Sequence, residues 1–150
     1  GGLATVVGDA KRARDFARIL DVPIAIIEKE RIGNEDKVAS VNLIGEVSGK
    51  TALIVDDEIG TGGTVIAAVE ALKKHGVGDI YCCVTHPVLS GEASKILSGG
   101  ILKETVVTDT LPVSAEKQFP NLRILSIAAI LGEAIRRIHS GLSIGAMFDQ

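Results

Sequence analysis

The sequence predicts an α/β protein, a doubly wound parallel sheet with helices on both faces. Runs of apolar residues of strand length alternate with segments of helical periodicity along the chain. The strand runs are apolar almost throughout, as in parallel strands that are covered on both sides. Hydrophobic residues make up 46% of the 150 residues, whereas aromatic residues make up 3% and Trp is absent. We therefore expect one domain, residues 1–150, with an aliphatic core.

A local pattern predicts each element, in chain order. The predicted strands are 3–7, 23–30, 41–47, 51–57, 79–88, 104–109 and 122–127, and the predicted helices are 9–20, 62–75, 91–97 and 128–139. A turn at Ser48 and Gly49 joins the third and fourth strands. The third strand is the candidate for one antiparallel addition to the sheet.

Helical periodicity also predicts which faces are buried. These are Ala13, Phe16, Ala17 and Leu20 in the first helix, Ile66, Val69 and Leu72 in the second, and Ile130, Ala134 and Ile138 in the last. Arg136 and Arg137 are predicted to face solvent. Gly76 is predicted to end the second helix, because glycine readily adopts the left-handed conformation that closes many helices.

Composition argues against several classes of function. A formal charge of −3 is unfavourable for broad contact with nucleic-acid phosphates. No apolar run approaches the ~20 residues of a membrane span, and no signal peptide opens the chain. Cys82 and Cys83 are adjacent, so on a strand their side chains point to opposite faces, and we expect free thiols rather than a disulfide. Free thiols suit a reducing, cytoplasmic setting. The absence of an initiator Met fits either its removal before glycine or a fragment of a longer protein.

The stretch TALIVDDEIGTGGT, residues 51–64, carries the strongest chemical signal. Its glycine-rich part, Gly60–Thr64, lies between the end of a predicted strand and the start of a predicted helix. Glycine lets the backbone approach a ligand closely, and the first N–H groups of a helix are free to bind an anion. The hydroxyls of Thr61 and Thr64 add further donors. Gly60, Thr61, Gly62, Gly63 and Thr64 therefore predict a phosphate-binding loop, although no Lys follows the glycines as in a Walker A loop.

Two adjacent carboxylates, Asp56 and Asp57, precede this loop. Carboxylates bind hydroxyl groups, or a cation that accompanies a phosphate. The carboxyl ends of the strands are where ligands bind in doubly wound sheets. A ligand with vicinal hydroxyls at one end and a phosphate at the other fits both halves of the stretch, and ribose 5-phosphate is such a molecule. A solvated acidic turn followed by a helix cap is the simpler alternative.

ALIVDDEIGTGGT resembles the phosphoribosyl diphosphate (PRPP) binding loop of type I phosphoribosyltransferases and PRPP synthetases. The resemblance implies the fold of that superfamily, with Asp56 and Asp57 on the ribose hydroxyls and residues 60–64 around the 5-phosphate. Many members have Asp before TGGT, whereas Gly60 stands there in this chain.

Three further stretches resemble the C-terminal half of PRPP synthetases, or ribose-phosphate pyrophosphokinases. EKERI (28–32) resembles the Lys-x-Arg of the mobile catalytic loop, and THPVLSGEASKIL (85–97) and LGEAIRRIHSGLSIGAMF (131–148) resemble later parts. This resemblance implies transfer of pyrophosphate from ATP to C1 of ribose 5-phosphate, with Mg²⁺ bridging phosphate oxygens. Lys29 and Arg31 are then the candidate catalytic residues, since residues two apart on a strand share a face. An N-terminal synthetase domain that supplies much of the ATP site, and a dimer-based homo-oligomer, are also implied.

The start of the chain departs from this family. Gly8–Ala13 matches the end of a pyrophosphate-binding turn, with Asp9 at a glycine position, but the preceding Ser-Pro-Asp is absent. Either residues are missing between Val7 and Gly8, or the loop is shorter, and the metal ligands stay unassigned.

Two other functions compete with the synthetase. A free-standing phosphoribosyltransferase would share the loop but needs a region that recognises a nucleobase, and the four aromatic residues offer little for stacking. A non-catalytic module associated with synthetase subunits is favoured by the incomplete first loop. His86 is expected to make a hydrogen bond or cap rather than act in catalysis, and His75 and His139 suit helix C-termini.

Overall fold

The computed structural model describes residues 2–8, 10–31 and 38–148. The strands are β1 (Leu3–Val7), β2 (Ile24–Arg31), β3 (Val38–Ile44), β4 (Thr51–Ile59), β5 (Ile80–Pro87), β6 (Glu104–Thr108) and β7 (Leu122–Leu125). The helices are α1 (Ala10–Leu20), α2 (Gly63–Lys74), α3 (Ala93–Leu97) and α4 (Ala128–His139), with short 3₁₀ turns at Ala115–Lys117 and Gly145–Met147. All the predicted strands and helices are present, with shifts of a few residues at their ends.

The seven strands form one sheet in the order β3-β2-β1-β4-β5-β6-β7. All neighbours are parallel except β2 and β3, which are antiparallel, so the predicted antiparallel addition is confirmed. It starts earlier than predicted, at Val38 instead of Val41. β4 lies at the centre, between β1 and β5. From β1 the chain adds β2 and β3 on one side of the sheet, and from β4 it adds β5, β6 and β7 on the other side. Folds of this kind bind ligands at the carboxyl ends of the strands where this change of direction occurs, here β1 and β4.

One face of the sheet is covered by α2 and α3. The core on this face contains Val6, Ile54, Val69 and Leu72, all buried and aliphatic as expected. Val69 and Leu72 point inward as predicted, whereas Ile66 is only half-buried and Val65 and Ala68 are buried in its place. α2 ends as predicted, with Gly76 at φ 76°. There the N–H groups of Gly76 and Val77 donate to the carbonyls of Lys73 and Leu72, which satisfies the last turn.

Among the described helices, α1 covers the other face. Its core is small: Val7, Ala13 and Val55 are buried, and Phe16 packs against them. Leu20, predicted to join this face, is 39% exposed at the end of the helix. α1 lies over β1 and β2, and beyond it an open cavity of about 330 Å³ is lined by Phe16, Cys83, Val106 and Leu125. Helices therefore lie on both faces, as predicted, but the second face is only partly covered.

The prediction for α4 is correct in its bounds and wrong in its buried face. No residue of α4 is buried, and Ile130 and Ile138 are 57% and 64% exposed. Ala134 is half-buried, as is Arg137, which was predicted to face solvent. Hydrophobic periodicity shows that a helix has an apolar side, but it does not show that a partner for that side lies in the same chain.

Two smaller expectations concern the rest of the described chain. Cys82 and Cys83 are free thiols, the first buried and the second half-buried, so the prediction of no disulfide between them is confirmed. Among the described residues, no helix combines the length and apolar character required to cross a membrane.

Candidate functional site

The acidic pair lies at the carboxyl end of the central strand. β4 contains Asp56 and Asp57, as predicted, and extends to Ile59, two residues farther than predicted. Asp56 is paired with Val84 of β5, and Glu58 with His86. Asp56 is half-buried, whereas Asp57 is 62% exposed at its side chain. The strand thus presents one anchored and one accessible carboxylate to the ligand side of the sheet.

Arg12, in the first turn of α1, contacts both carboxylates. Its Nη1 lies 3.2 Å from Asp56 Oδ1, and its Nη2 lies 4.0 Å from Asp57 Oδ2. The main-chain N–H of Asp57 also donates to Asp56 Oδ1, at 2.8 Å. These contacts offset the repulsion between the two acids and fix the position of Asp56, while each carboxylate keeps lone pairs that can accept hydrogen bonds from hydroxyl groups.

The two carboxyl groups have different acidities. Burial raises the pKa of Asp56, and its hydrogen bond with the Asp57 carboxyl raises it further. The same hydrogen bond lowers the pKa of Asp57, and the charge of Arg12 acts in the same direction. Protonation of Asp56 is therefore favoured over protonation of Asp57.

The loop after β4 leads directly into α2. Gly62 has φ 88°, in the left-handed region that glycine adopts without strain, and it occupies the N-cap position. No side chain caps the helix, and Ile66 N–H donates to the Gly62 carbonyl at 3.0 Å. The N–H groups of residues 63–65 precede this first bond of the helical ladder, so they are available to an anion, with the helix dipole adding to the attraction.

The segment after β5 supports this loop. The N–H groups of Leu89 and Ser90 donate to the carbonyls of Ile59 and Gly60, at 2.9 and 3.1 Å. Leu89 is 1% exposed and has φ 48°, a strained value for a residue with a side chain. The last carbonyl of β4 and the first carbonyl of the glycine-rich loop are therefore held in place by the turn at Leu89 and Ser90, which fixes where the loop begins.

The acidic pair, the loop and Lys29 line one cleft of about 480 Å³. Its wall includes Lys29 of β2, Asp56 and Asp57 of β4, residues 60–64, and Ser90. The Lys29 charge lowers the pKa of Asp56, in opposition to burial. The structure thus brings together all the predicted substrate-binding residues and one of the two predicted catalytic residues.

Arg31, the second predicted catalytic residue, ends β2, and its side chain lies outside what the structure describes. The pairing of β2 with β3 shifts between Glu30 and Arg31, which lie opposite Ser40 and Val38. This bulge interrupts the regular pleat on which the shared face of Lys29 and Arg31 depends, so that expectation stays a prediction. Asp9 and residues 32–37 also lie outside the described residues.

The acidic groups of the cleft fit a Mg²⁺ ion that arrives with phosphates. In the described ranges, no three His, Cys, Asp or Glu residues are grouped closely enough to hold a metal by themselves. Mg²⁺ in phosphoryl-transfer sites is commonly held by one or two carboxylates, substrate phosphates and water. Asp56 and Asp57, beside the predicted phosphate-binding loop, match the carboxylate part of that donor set.

Sequence reasoning missed Arg12, Leu89 and Ser90. Arg12 and Asp56 are 44 positions apart, and only the pairing of β1 with β4 brings them together. The available signal was a basic residue in the first turn of α1, the helix that follows β1, because β1 is paired with β4. Leu89 and Ser90 act through backbone groups, which leave no trace in side-chain chemistry.

Two of the three histidines make hydrogen-bond contacts within the fold. His86 Nδ1 lies 2.9 Å from Thr110 Oγ1, and His75 Nδ1 lies 2.8 Å from the Ala71 carbonyl at the end of α2. The expected hydrogen-bonding role of His86 and the expected position of His75 are confirmed.

The fold and the loop define a class: domains with the phosphoribosyltransferase fold whose central strand ends in two acids and a TGGT loop. Residues 32–149 match the family model described as the phosphoribosyl synthetase-associated domain. The chain therefore belongs to the family of phosphoribosyl synthetase-associated domains. It is 46% identical to a ribose-phosphate pyrophosphokinase of Gloeobacter violaceus over 95% of this chain and 43% of the relative. It is 48% identical to the chloroplastic ribose-phosphate pyrophosphokinase 1 of Arabidopsis thaliana over 95% of this chain and 35% of the relative.

Solved structures agree with this assignment. The phosphoribosylpyrophosphate synthetase of Mycobacterium smegmatis superimposes with a TM-score of 0.81 at 37% identity, over 93% of this chain and 46% of that one. An adenine phosphoribosyltransferase of Giardia lamblia shares the fold, with a TM-score of 0.53 at 17% identity, over 83% of this chain and 69% of that one. This chain spans less than half the length of the curated relatives described above.

Proposed function

We propose that this chain is the ribose 5-phosphate-binding half of a ribose-phosphate diphosphokinase. The full enzyme transfers the β,γ-pyrophosphoryl group of ATP to the C1 hydroxyl of ribose 5-phosphate, producing PRPP for nucleotide biosynthesis and AMP. The observation that carries the proposal is the cleft in which the Asp56–Asp57 pair and the α2 loop face one ligand-sized space. The names of the relatives support the same activity.

The 5-phosphate of ribose would bind at the start of α2. Its oxygens accept hydrogen bonds from the N–H groups of residues 63–65 and from the hydroxyls of Thr61 and Thr64. The vicinal hydroxyls of the ribose donate to the carboxylates of Asp56 and Asp57. Because Arg12 and the turn at Leu89 hold these groups in place beforehand, little ordering is needed on binding.

In the reaction, the C1 oxygen forms a bond to the β-phosphorus of ATP while the bond from that phosphorus to the oxygen of the α-phosphate breaks. AMP leaves, and the proton of the C1 hydroxyl is released. Such transfers depend on positioning and on neutralising negative charge. Lys29, on the wall of the cleft, is placed to interact with the transferred phosphates, and we assign Arg31 the same role. Mg²⁺, when bound with ATP, would neutralise phosphate charge at the side of Asp56 and Asp57.

The proposal extends to the partners and setting of the chain. An N-terminal synthetase domain would supply most of the ATP site, and the full enzyme would be a dimer-based homo-oligomer. The relatives' greater length is consistent with the additional domain. A cytoplasmic setting is supported by the two free cysteines.

Calorimetry with ribose 5-phosphate tests the proposal directly. The chain alone is expected to bind ribose 5-phosphate, and Asp56→Asn and Thr64→Ala are expected to weaken binding by roughly tenfold or more each, the loss of one good hydrogen bond to a charged group. Thr110→Ala, outside the cleft, is the control. Unchanged affinity in both cleft variants would contradict the assignment.

A turnover assay distinguishes the proposed synthetase activity from the two alternative functions. With ATP, Mg²⁺ and the complementary domain of a relative, the chain is expected to form AMP and PRPP, and Lys29→Ala is expected to slow transfer while sparing ribose 5-phosphate binding. Consumption of PRPP with a nucleobase would instead indicate a phosphoribosyltransferase. Binding without turnover in the complete assembly would indicate a non-catalytic module.

A further inference from the structure

Ser90, on the wall of the cleft, carries a hydroxyl group that no other residue in the described part of the chain engages. The main chain of Ser90 is fully bonded. Its N–H donates to the Gly60 carbonyl at 3.1 Å, and its carbonyl accepts from the Ala93 N–H at 3.2 Å. The residue is half-buried and lines the same space as the acidic pair and residues 60–64. A hydroxyl group that is held there without a partner is available to a ligand.

The neighbours of Ser90 fix the position of this hydroxyl relative to the glycine-rich loop. Leu89 is buried in the core on the α2 face and has φ 48°, so the turn that carries Ser90 is anchored from below. Ala93 and Ile96 of α3 pack against the loop, since a Cβ on Gly62 would lie 3.9 and 3.8 Å from them. The loop and the segment after β5 are therefore in contact at two places, and the Ser90 hydroxyl lies at one of them.

Gly60 leaves the Ser90 hydroxyl uncovered on the side of the loop. Gly60 has no positive φ, so its backbone conformation does not require glycine. A Cβ at this position would point toward Ser90 Oγ, at 3.9 Å, which is an ordinary contact distance. A side chain could therefore stand between the loop and Ser90, and because residue 60 is glycine, none does.

The charges along the cleft indicate which end of a ligand this hydroxyl meets. Lys29 is the one cation among the described residues that line the cleft, and its charge acts on Asp56, at the end proposed for the ribose hydroxyls. An anion at the start of α2 would then be bound by neutral donors, which are N–H groups and hydroxyls. Ser90 is bonded to Gly60, the first residue of the loop, so its hydroxyl belongs to this neutral set.

We propose that the Ser90 hydroxyl donates a hydrogen bond to the 5-phosphate of ribose 5-phosphate. This inference rests on the proposed function, because it adds a specificity-determining residue to the same site. The N–H groups of residues 63–65 and the hydroxyls of Thr61 and Thr64 come from the loop itself, whereas Ser90 comes from the segment after β5. A donor from a second segment strengthens binding of the phosphate without contacting the ribose, so it favours a sugar phosphate over the unphosphorylated sugar.

Calorimetry with ribose 5-phosphate tests this role of the hydroxyl. Ser90→Ala is expected to weaken binding ~10-fold, the effect of losing one hydrogen bond to a charged group. Ser90→Thr keeps a hydroxyl and is expected to restore most of the affinity. Ser98→Ala is the matched control, because the Ser98 hydroxyl is exposed at the end of α3 and donates to the Lys95 carbonyl, outside the cleft. It is expected to leave the affinity unchanged.

Two further measurements distinguish a ligand contact from a structural role. Urea denaturation without ligand is expected to give Ser90→Ala the same free energy of unfolding as the parent chain, since the hydroxyl has no partner in the described chain. NMR titration with ribose, which has no phosphate, is expected to give the same affinity for Ser90→Ala as for the parent. Asp56→Asn, by contrast, is expected to weaken binding of ribose and ribose 5-phosphate alike.

Three results would overturn the proposal. They are unchanged affinity of Ser90→Ala for ribose 5-phosphate, an equal loss of affinity for ribose and ribose 5-phosphate in that variant, and a loss that Ser90→Thr does not restore. If Asp56→Asn still weakens binding in these cases, the proposed function stands and only the Ser90 contact fails. Absence of ribose 5-phosphate binding by the parent chain would overturn both.

Discussion

The two faces of the sheet differ in how complete they are. On one face, α2 and α3 bury a continuous aliphatic core that includes Leu72, Ile80 and Leu97. On the other, α1 buries Val7, Ala13 and Val55, and the sheet beyond it is open. The candidate site follows the same division: the glycine-rich loop leads into α2 on the complete face, and Arg12 of α1 contacts the acids from the incomplete one.

This difference separates the proposed ribose 5-phosphate site from the surfaces that remain exposed in the chain. The groups that would bind ribose 5-phosphate are fixed by contacts within the chain, since the loop is tied to Leu89 and Ser90. α4, in contrast, buries none of its residues. The proposed substrate-binding groups are thus held in place within the chain, whereas α4 and part of the sheet remain exposed in it.

The largest contrast is expected in core substitutions. Leu72→Ala removes a side chain that is 0% exposed on the complete face, and it is expected to lower the free energy of unfolding by ~2–5 kcal/mol. Ile135→Ala on α4, 67% exposed, is expected to change it by less than ~0.5 kcal/mol. Urea denaturation of the two variants measures the difference. Equal costs would mean that α4 is packed in solution and that the two faces are alike.

Substitution of two glycines that have left-handed backbone conformations tests the same difference between the candidate site and α4. Gly62→Ala is expected to lower the free energy of unfolding by ~1–2 kcal/mol, because φ 88° strains a residue with a side chain, and to weaken ribose 5-phosphate binding. Gly141→Ala, at φ 69° just after α4, imposes similar strain, but there it should only fray the helix. Denaturation and calorimetry together check this. A weaker affinity in Gly141→Ala would contradict the division between the two regions.

The sequence predicted what local patterns determine. Periodicity predicted the bounds of α2 and α4 to within a few residues of the observed ones, and it predicted the glycine that ends α2. Loop chemistry identified the stretch that contains the acidic pair and the glycines as the candidate site. The exposure of Ile130 and Ile138 could not be predicted, because periodicity is the same whether a helix meets its own core or another polypeptide. The contact of Arg12 with Asp56 depends on strand order, which no local pattern encodes.

Cys82 and Cys83 are adjacent in sequence and lie on opposite faces of the sheet, so their reactivities compare the two faces. Burial raises the pKa of Cys82 to about 12, and Cys82 belongs to the core on the α2 face. Burial also raises the pKa of Cys83, but Cys83 is half-buried and lines the open cavity on the α1 face. A small thiol reagent at pH 8 is therefore expected to label Cys83 slowly and Cys82 only after denaturation. Mass spectrometry of the labelled peptide, with Cys83→Ser as the control, identifies the site. Earlier labelling of Cys82 would contradict the assigned faces.

The smallest effect is expected in the acid response of α4. Arg136 and Arg137 lower the pKa of Glu133 to about 2, from an ordinary value of 4.5. Because the pKa is lowered in the folded helix, the contribution of Glu133 is complete above pH 4.5 and is lost as the pH falls toward 2. The group is fully exposed, so salt screens the interaction. The carbon chemical shifts of residues 128–139 are expected to lose helical character as the pH falls through this range. In Glu133→Gln, the same shifts are expected to show less helical character already at pH 6 and to change little with pH.

In contrast to α4, α2 is held by packing and should keep its helical shifts over the same range for as long as the domain remains folded. Loss of both helices together would mean that the fold responds as one unit. Retention of α4 at pH 2 would mean that contacts other than the Glu133 ion pairs stabilise it.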